Sequence, residues 1–252
     1  MKDLKGKRAL VTGGSRGIGA AVAELFAEYG VHVAIGYRNR KADAEALVAS
    51  LRERHGVNAV AHASDISTSA GAQSLVDHAA SALGGIDFFV GNAGIWESTD
   101  VPVRDMTDQQ WRRTMAENID SVFYTTRAFL RVAPDGGRIV LVSSTAGQRG
   151  EANHADYGAS KGAMISFVKS LAPELTSRGI TVNSVAPGWV ETEMCADAFA
   201  GAGRARIAAG IPIGRIAPAR DIAGPIVFLC SELARHMTGE IVNVNGGSVL
   251  CG

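Results

Sequence analysis

A chain of 252 residues with 46% hydrophobic side chains can bury a full core without disulfide or metal staples. Its 25 Lys and Arg balance 25 Asp and Glu, so it lacks the basic excess of a nucleic-acid binder, and no apolar run is long enough to span a bilayer. The charged opening Met1-Lys2-Asp3-Leu4-Lys5 does not read as a signal peptide. The three cysteines, Cys195, Cys230 and Cys251, are far apart, match no metal-ligand spacing and suit a reducing cytoplasm.

Residues 8–11 are a short apolar run, followed by Thr12-Gly13-Gly14-Ser15-Arg16-Gly17-Ile18-Gly19. Residues 20–29 then place Val22, Leu25 and Phe26 on one helical face. Strand, glycine-rich turn and helix in that order offer a phosphate close backbone approach and the positive end of a helix. The same turn also fits G-x-S-x-G, the nucleophile elbow of α/β-hydrolases, with Ser15 as nucleophile. Two points count against that reading. A hydrolase elbow normally follows several strands, and neither His154 nor His236 sits where a partner imidazole is needed.

A second strand, 31–37, ends in Tyr37, with Arg38, Arg40 and Lys41 just beyond and Arg16 in the glycine turn. An acidic residue at such a strand end holds a ribose 2′-hydroxyl. Cations there pair with a 2′-phosphate instead, so these residues point to NADP(H) over NAD(H). One or two of the cations simply begin the next helix, 42–55. A third strand, 57–63, ends near Asp65, which either accepts from an adenine amino group or caps the following helix, 70–83. Strand 86–90 leads to the turn Asn92-Ala93-Gly94, and a long helix, 108–133, contains Asn118 among apolar residues.

The most informative stretch is 139–161. An apolar strand, 139–142, ends in Ser143-Ser144, and Tyr157 and Lys161 follow four residues apart. If Tyr157 opens a helix, its phenol and the ammonium share a face. A nearby cation favours the phenolate and lowers the tyrosine pKa, which suits proton transfer near neutrality. Ser144 can reach the same space to hydrogen-bond a carbonyl oxygen. The pair alone is weak evidence, because Tyr37 and Lys41 match the same spacing. A sixth strand, 182–186, stops at Pro187-Gly188, with Thr192 just beyond. Residues 193–210 are rich in Ala and Gly with few large anchors, as in a mobile lid. Helix 222–229 and strand 241–244 close the chain.

Alternating strands and helices predict a single doubly wound α/β domain over 1–252, with a parallel sheet of about seven strands wrapped on both faces. Gly13, Asp65, Asn92, Ser144 and Pro187 would then line one C-terminal sheet edge, where such sheets bind ligands. In order and spacing, Thr12-Gly-x-x-x-Gly17-x-Gly19, Asp65, Asn92-Ala-Gly94, Asn118, Ser144, Tyr157-x-x-x-Lys161 and Pro187-Gly188 resemble the short-chain dehydrogenase/reductase family over essentially the whole chain. Ser144 precedes Tyr157 by thirteen residues, the family's interval, and is therefore the catalytic match rather than Ser143.

The resemblance implies a Rossmann-type sheet and a tetrad. Tyr157 is the general acid for carbonyl reduction, and Lys161 lowers its pKa and holds the nicotinamide ribose. Ser144 polarises the carbonyl, Asn118 supports a water of the proton relay, and Thr192 touches the nicotinamide end. The implied NADP(H) contacts are Gly13, Ser15, Arg16, Gly17, Ile18, Gly19, Tyr37, Arg38, Asp65, Ile66, Asn92, Ala93, Gly94, Tyr157, Lys161, Pro187, Gly188, Val190 and Thr192. Trp96, Gln148, His154, Trp189 and Met194, with Glu97 and Arg149, are expected to border the substrate.

The glycine turn, Arg178-Gly-Ile-Thr-Val-Asn183 and the tail from Ile211 to Gly247 are most similar to 3-oxoacyl-acyl-carrier-protein reductases of fatty acid biosynthesis. That implies a cytoplasmic homotetramer, for whose interface the apolar C-terminal tail is suited, and an acyl carrier protein as partner. Three departures stand out. Pro134-Asp135-Gly136-Gly137 lacks a basic residue used to dock the carrier, Asn245 replaces an Asp, and Gly91 replaces an Asn. Arg178 matches the other docking position. The alternatives are another small ketone or alcohol, such as a sugar, steroid, polyketide-like compound or xenobiotic, and a non-catalytic NADPH-binding regulator.

Overall fold

The computed structural model describes residues 1–250; Cys251 and Gly252, at the end of the apolar tail, lie outside the described residues. Seven strands form one sheet, in spatial order β3-β2-β1-β4-β5-β6-β9, and every pairing is parallel. They are β1 (Arg8–Thr12), β2 (His32–Tyr37), β3 (Ala59–Ala63), β4 (Phe88–Gly91), β5 (Arg138–Val142), β6 (Thr181–Pro187) and β9 (Ile241–Val244). A separate two-stranded ribbon, β7 (Val190–Glu191) with β8 (Ala217–Pro218), lies beyond the end of β6.

The sheet is buried on both faces because its strands are apolar at successive positions, and strand geometry sends those positions to opposite sides. Ala9, Val11, Phe88, Val90, Val140 and Val142 pack with α1 (Gly17–Glu28), α2 (Lys41–His55) and α9 (Ala219–Leu229). Leu10, Phe89, Ile139 and Leu141 pack with α3 (Ser69–Leu83), α5 (Ser121–Val132) and α7 (Ala155–Leu175). Phe26 stacks on Phe88 at 5.9 Å on the first face, and Phe89 on Phe129 at 5.5 Å on the second. Fully burying one such ring contributes roughly 1.5–3 kcal/mol. The doubly wound parallel sheet expected from the sequence is therefore the observed architecture.

Four local features differ from the sequence reading. Helix α1 starts at Gly17, inside the glycine turn, rather than at residue 20. Tyr157 is the third residue of α7, which begins at Ala155. The expected long helix 108–133 is α4 (Asp108–Met115) and α5 joined through a π-helical turn, Ala116–Asp120, with Asn118 at its centre. A short helix, α6 (Thr145–Arg149), follows β5 directly. Strand order reverses at β1, whose neighbours β2 and β4 are reached by connections running in opposite directions. That divergence opens a crevice at the C-terminal strand ends.

Candidate active site

The crevice is a cleft of about 350 Å³, in the size range of small-molecule sites. Gly13, Ser15, Arg16, Gly17 and Ile18 line one part of it. Arg16 stands at the N-cap of the twelve-residue helix α1 without a side-chain cap, so the first-turn N–H groups face the cleft uncapped. Gly19 does not line the cleft. A Cβ there would lie 2.3 Å from the Gly13 carbonyl oxygen, so its role is to let α1 close onto the turn. The imidazole that an elbow serine would require is elsewhere: His154 stacks on Trp96 at 5.1 Å.

Tyr37, Arg38, Asp65 and Ile66 line the far end. Arg38 is ion-paired with Glu117 and lies 4.0 Å from Asp65. Asp65 accepts from the Ser67 hydroxyl at 2.6 Å and its amide at 3.1 Å. The hydroxyl bond is the main reason that this carboxyl sits below its ordinary pKa, with Arg38 adding to it. The cap of α3 is Thr68, which accepts from Gly71 N at 3.1 Å, so Asp65 is not the helix cap. Arg16 and Arg40 both donate to one oxygen of Glu193, Arg16 at 2.6 Å. Lys41, which opens α2, pairs with Glu45 at 3.8 Å.

At the opposite end Ser144, Tyr157 and Lys161 line the cleft together with Asn92, Ala93, Gly94, Pro187, Gly188, Val190 and Thr192. Ser144, in extended backbone between β5 and α6, accepts from Ala146 N at 3.1 Å and hydrogen-bonds the Tyr157 hydroxyl. Lys161 is buried and donates to the Val142 carbonyl at 2.9 Å. Ser143, the residue after Val142, donates to the Lys161 carbonyl at 2.9 Å, so strand end and helix are stitched from both sides. Asp156, buried in the first turn of α7, accepts from Thr114 Oγ1 at 2.7 Å and from Tyr157 N at 2.9 Å. This carboxylate thus fixes the turn that carries the tyrosine to α4.

Asn118 is fully buried behind the cleft. Its Oδ1 accepts from Ile95 N at 2.7 Å, and its Nδ2 donates to Ile95 O and to Ser160 Oγ, both at 3.0 Å. The side chain is therefore a brace between the π turn, the loop after β4 and α7. A Cβ at Gly94 would stand 3.0 Å from Asn118 Oδ1 and 3.4 Å from Lys161 Nζ, so a larger residue would crowd both groups.

One electrostatic expectation is overturned. Burial pushes the Tyr157 phenol above its ordinary pKa, opposed by the Ser144 hydrogen bond, and the charge of Glu151 pushes the same way as burial. Burial also pushes the Lys161 ammonium down to about 8. At Tyr157 burial outweighs the favourable ammonium, whose own charge is costly where it sits. The Lys161 Nζ is committed to Val142 and lies 5.8 Å from the Tyr157 ring centre.

Of the expected substrate neighbours, Met194 lines the cleft. Trp96 stacks on His154 and meets Trp189 edge-on at 5.8 Å, and Trp189 leans on Phe199. These rings pack on one another and do not line the cleft itself. Gln148 donates to Asn243 Oδ1 at 2.7 Å. Arg113 takes Glu97 at 3.0 Å. Residues 193–210 are better anchored than their composition suggests: Phe199 packs on Trp189, Arg204 pairs with Glu191, and Asp197 accepts from Ser98 at 3.0 Å. Asp156, Ser160, Glu117 and Glu193 were not singled out by the sequence. Each lies directly beside a motif residue, Tyr157, Lys161, Asn118 and Thr192 respectively, which is the one signal that could have found them.

Among the described residues no three His, Cys, Asp or Glu side chains come together as a possible metal site. The donors present are a helix N-terminus, three arginines and a Ser–Tyr–Lys group, which suit a phosphorylated dinucleotide at one end and proton transfer at the other.

A family model described as enoyl-(acyl carrier protein) reductase matches residues 13–248. The chain is 40% identical over 247 residues to the 3-oxoacyl-[acyl-carrier-protein] reductase FabG of Vibrio cholerae, covering 97% of this chain and 98% of that one. It is 39% identical to FabG of Escherichia coli over the same shares. Among solved structures, a blue fluorescent protein from a metagenomic library in complex with NADPH superposes with a TM-score of 0.92 at 36% identity, covering 98% and 100% of the two chains. A short-chain dehydrogenase from Burkholderia cenocepacia in complex with NADP gives 0.91 at 37% identity, covering 98% and 99%.

Proposed function

The chain belongs to the short-chain dehydrogenase/reductase family, and from that premise we propose that it reduces a ketone to a secondary alcohol, a 3-oxoacyl thioester being the first candidate. It is an NADP-dependent oxidoreductase. The observation that carries the reading is the meeting of Ser144, Tyr157 and Lys161 in the cleft whose other end holds Arg16, Arg38 and Arg40.

The uncapped start of α1 would receive the pyrophosphate, the three arginines the 2′-phosphate, and Tyr157 and Lys161 the nicotinamide ribose. Bound there, NADPH would supply the hydride. This chain handles the oxygen. Ser144 donates a hydrogen bond to the carbonyl oxygen and polarises it. Tyr157, whose raised pKa keeps it protonated at neutrality, gives its proton to that oxygen as general acid. The Lys161 ammonium beside it stabilises the phenolate left behind. Asn118 braces the Ile95 loop and α7 so that the tyrosine and lysine keep their places, and its π turn supports the relay water.

A second reading, a ketone not borne on a carrier protein, is favoured by Arg178. Its guanidinium donates to Asp135 at 3.1 Å and to the carbonyls of Leu130 and Ala133 at 3.2 and 2.6 Å. The cation expected to dock an acidic carrier is thus occupied in closing the end of α5. The other two departures are accommodated internally: Asn245 bonds Gly247 N and Val249 O, and a Cβ at Gly91 would strike Leu141 at 2.7 Å.

We read the chain as one cofactor-binding and catalytic domain, since the main strands share one sheet. We read it as a homotetramer in the cytoplasm, with exposed Trp111, Phe123 and Val132 along α4 and α5 as apolar surface for assembly. Among the described residues no helix is long and apolar enough to cross a membrane. Following absorbance at the reduced-nicotinamide band with acetoacetyl thioesters, on carrier protein and free, and with a ketone panel tests the substrate. Oxidation with the thioesters supports the first reading, and oxidation with other ketones alone moves the substrate class. No oxidation, with NADPH still bound, would favour the regulator.

A further inference from the structure

Glu193 is the one carboxylate that spans two of the cations at the phosphate end of the cleft. A single oxygen accepts from Arg16, in the glycine turn, and from Arg40, just past β2. Glu193 does not belong to that end. It opens the 193–210 segment, one residue after Thr192, which sits against Gly17 at 3.2 Å from where a Cβ would be. The same segment continues to Phe199 on the Trp189 side of the site and to Asp197, held by Ser98. The chain therefore places its own anion on the guanidinium groups that suit a 2′-phosphate, and that anion adjoins Met194, which lines the same cleft.

Resting on the reading that this cleft takes NADPH, we propose that Glu193 is a specificity-determining residue. It is an internal competitor for the 2′-phosphate, whose displacement from Arg16 and Arg40 loosens the start of the 193–210 segment, the later part staying held through Asp197, Phe199 and Arg204. A phosphate offers three oxygens and up to two charges to guanidinium forks, against one shared oxygen of Glu193, so it wins the exchange. Arg40 keeps Asp43 at 3.2 Å, and Arg38 keeps Glu117 and Asp65, because those carboxylates lie on other elements. The exchange is thus confined to the segment that borders the substrate. NADH and 5′-AMP, lacking the phosphate, leave the Glu193 contacts in place.

The test uses the full chain with 2′,5′-ADP and 5′-AMP as probes, read by titration calorimetry and by hydrogen exchange at the amides of 193–210. Both ion pairs are half-exposed and worth little individually, so Glu193→Gln should tighten 2′,5′-ADP by about three- to tenfold and leave 5′-AMP within about twofold. In the unaltered protein 2′,5′-ADP should speed exchange at residues 193–196 while 5′-AMP does not, and Glu193→Gln should exchange faster there without ligand. Unchanged or weaker 2′,5′-ADP binding by Glu193→Gln, or exchange indifferent to the probes, would overturn the proposal. If the unaltered protein itself shows no preference for 2′,5′-ADP, the NADPH reading falls and the proposal with it. A preference that survives while Glu193→Gln changes nothing removes only Glu193.

Discussion

Lys161 donates its ammonium to the main-chain carbonyl of Val142 at 2.9 Å, and two residues further along the chain Ser144 hydrogen-bonds Tyr157. The strand end thereby sets the distance between the group that gives the proton and the cation that compensates for its loss. Lys161 is buried and Tyr157 is half-buried at the cleft wall, and loss of water drives both protonation equilibria toward the neutral forms.

This gives a pH dependence with a definite sign. Lys161 is charged below its pKa of about 8 and neutral above it. The charged form is the one that stabilises a developing phenolate, so kcat/KM for reduction should fall as pH rises through about 8. Lys161→Arg keeps its charge over that range and should move the fall to higher pH, at a lower absolute rate. A profile for the unaltered protein that stays level well above neutrality would contradict this.

Asn118 satisfies both main-chain groups of Ile95 and reaches Ser160. Asn118→Leu leaves those groups buried without partners, which should cost roughly 2–4 kcal/mol of stability and lower kcat as well. Denaturant unfolding followed beside steady-state kinetics checks both effects. A variant of full stability and full rate would show that the brace is dispensable.

Arg38→Asp puts a carboxylate at the β2 end and leaves Glu117 and Asp65 without their cation. The ratio of NADPH to NADH affinity should drop by at least about tenfold, the equivalent of one well-formed charged contact. Parallel fluorescence titrations with the two nucleotides measure it, and an unchanged ratio would remove Arg38 from cofactor selection.

Arg8 and Asp87 tie β1 to the start of β4, with Nε–Oδ2 at 2.7 Å and Nη2–Oδ1 at 2.9 Å. Burial alone would raise the Asp87 carboxyl, but the Arg8 bonds outweigh it and hold the group below its ordinary pKa. A depressed carboxyl contributes stability above its unfolded value, about 3.9, and loses it as pH falls through the lower folded value. Asp87→Asn should therefore cost about 1–3 kcal/mol at neutral pH, moderated by the partial exposure of Arg8, and flatten the acid limb of stability. Equal acid limbs in the two proteins would refute the assignment.

Much of this site was legible in the sequence because its motifs are local. The Thr12–Gly19 turn, Asn92-Ala93-Gly94 and Tyr157-x-x-x-Lys161 each fix their own geometry within a few residues, and hydrophobic periodicity orders the strands. What stayed hidden depends on contacts between distant segments. Nothing in residues 108–133 announces the π turn at Asn118, since it is set by bonds to Ile95 and Ser160. Glu193 meets Arg16 across 177 positions, and Arg178 finds its carbonyls only when α5 packs beside it. The Tyr157 expectation failed for a related reason. Spacing puts the lysine near the phenol, but burial, which spacing does not reveal, controls both charges.

The central claim is that the Tyr157 hydroxyl delivers the proton. Tyr157→Phe should bind NADPH with affinity within about threefold of the unaltered protein and oxidise it on ketone addition at least about a hundredfold more slowly, the size of a general-acid contribution. Loss of turnover with retained binding is the predicted result. Undiminished NADPH oxidation by Tyr157→Phe would contradict the account.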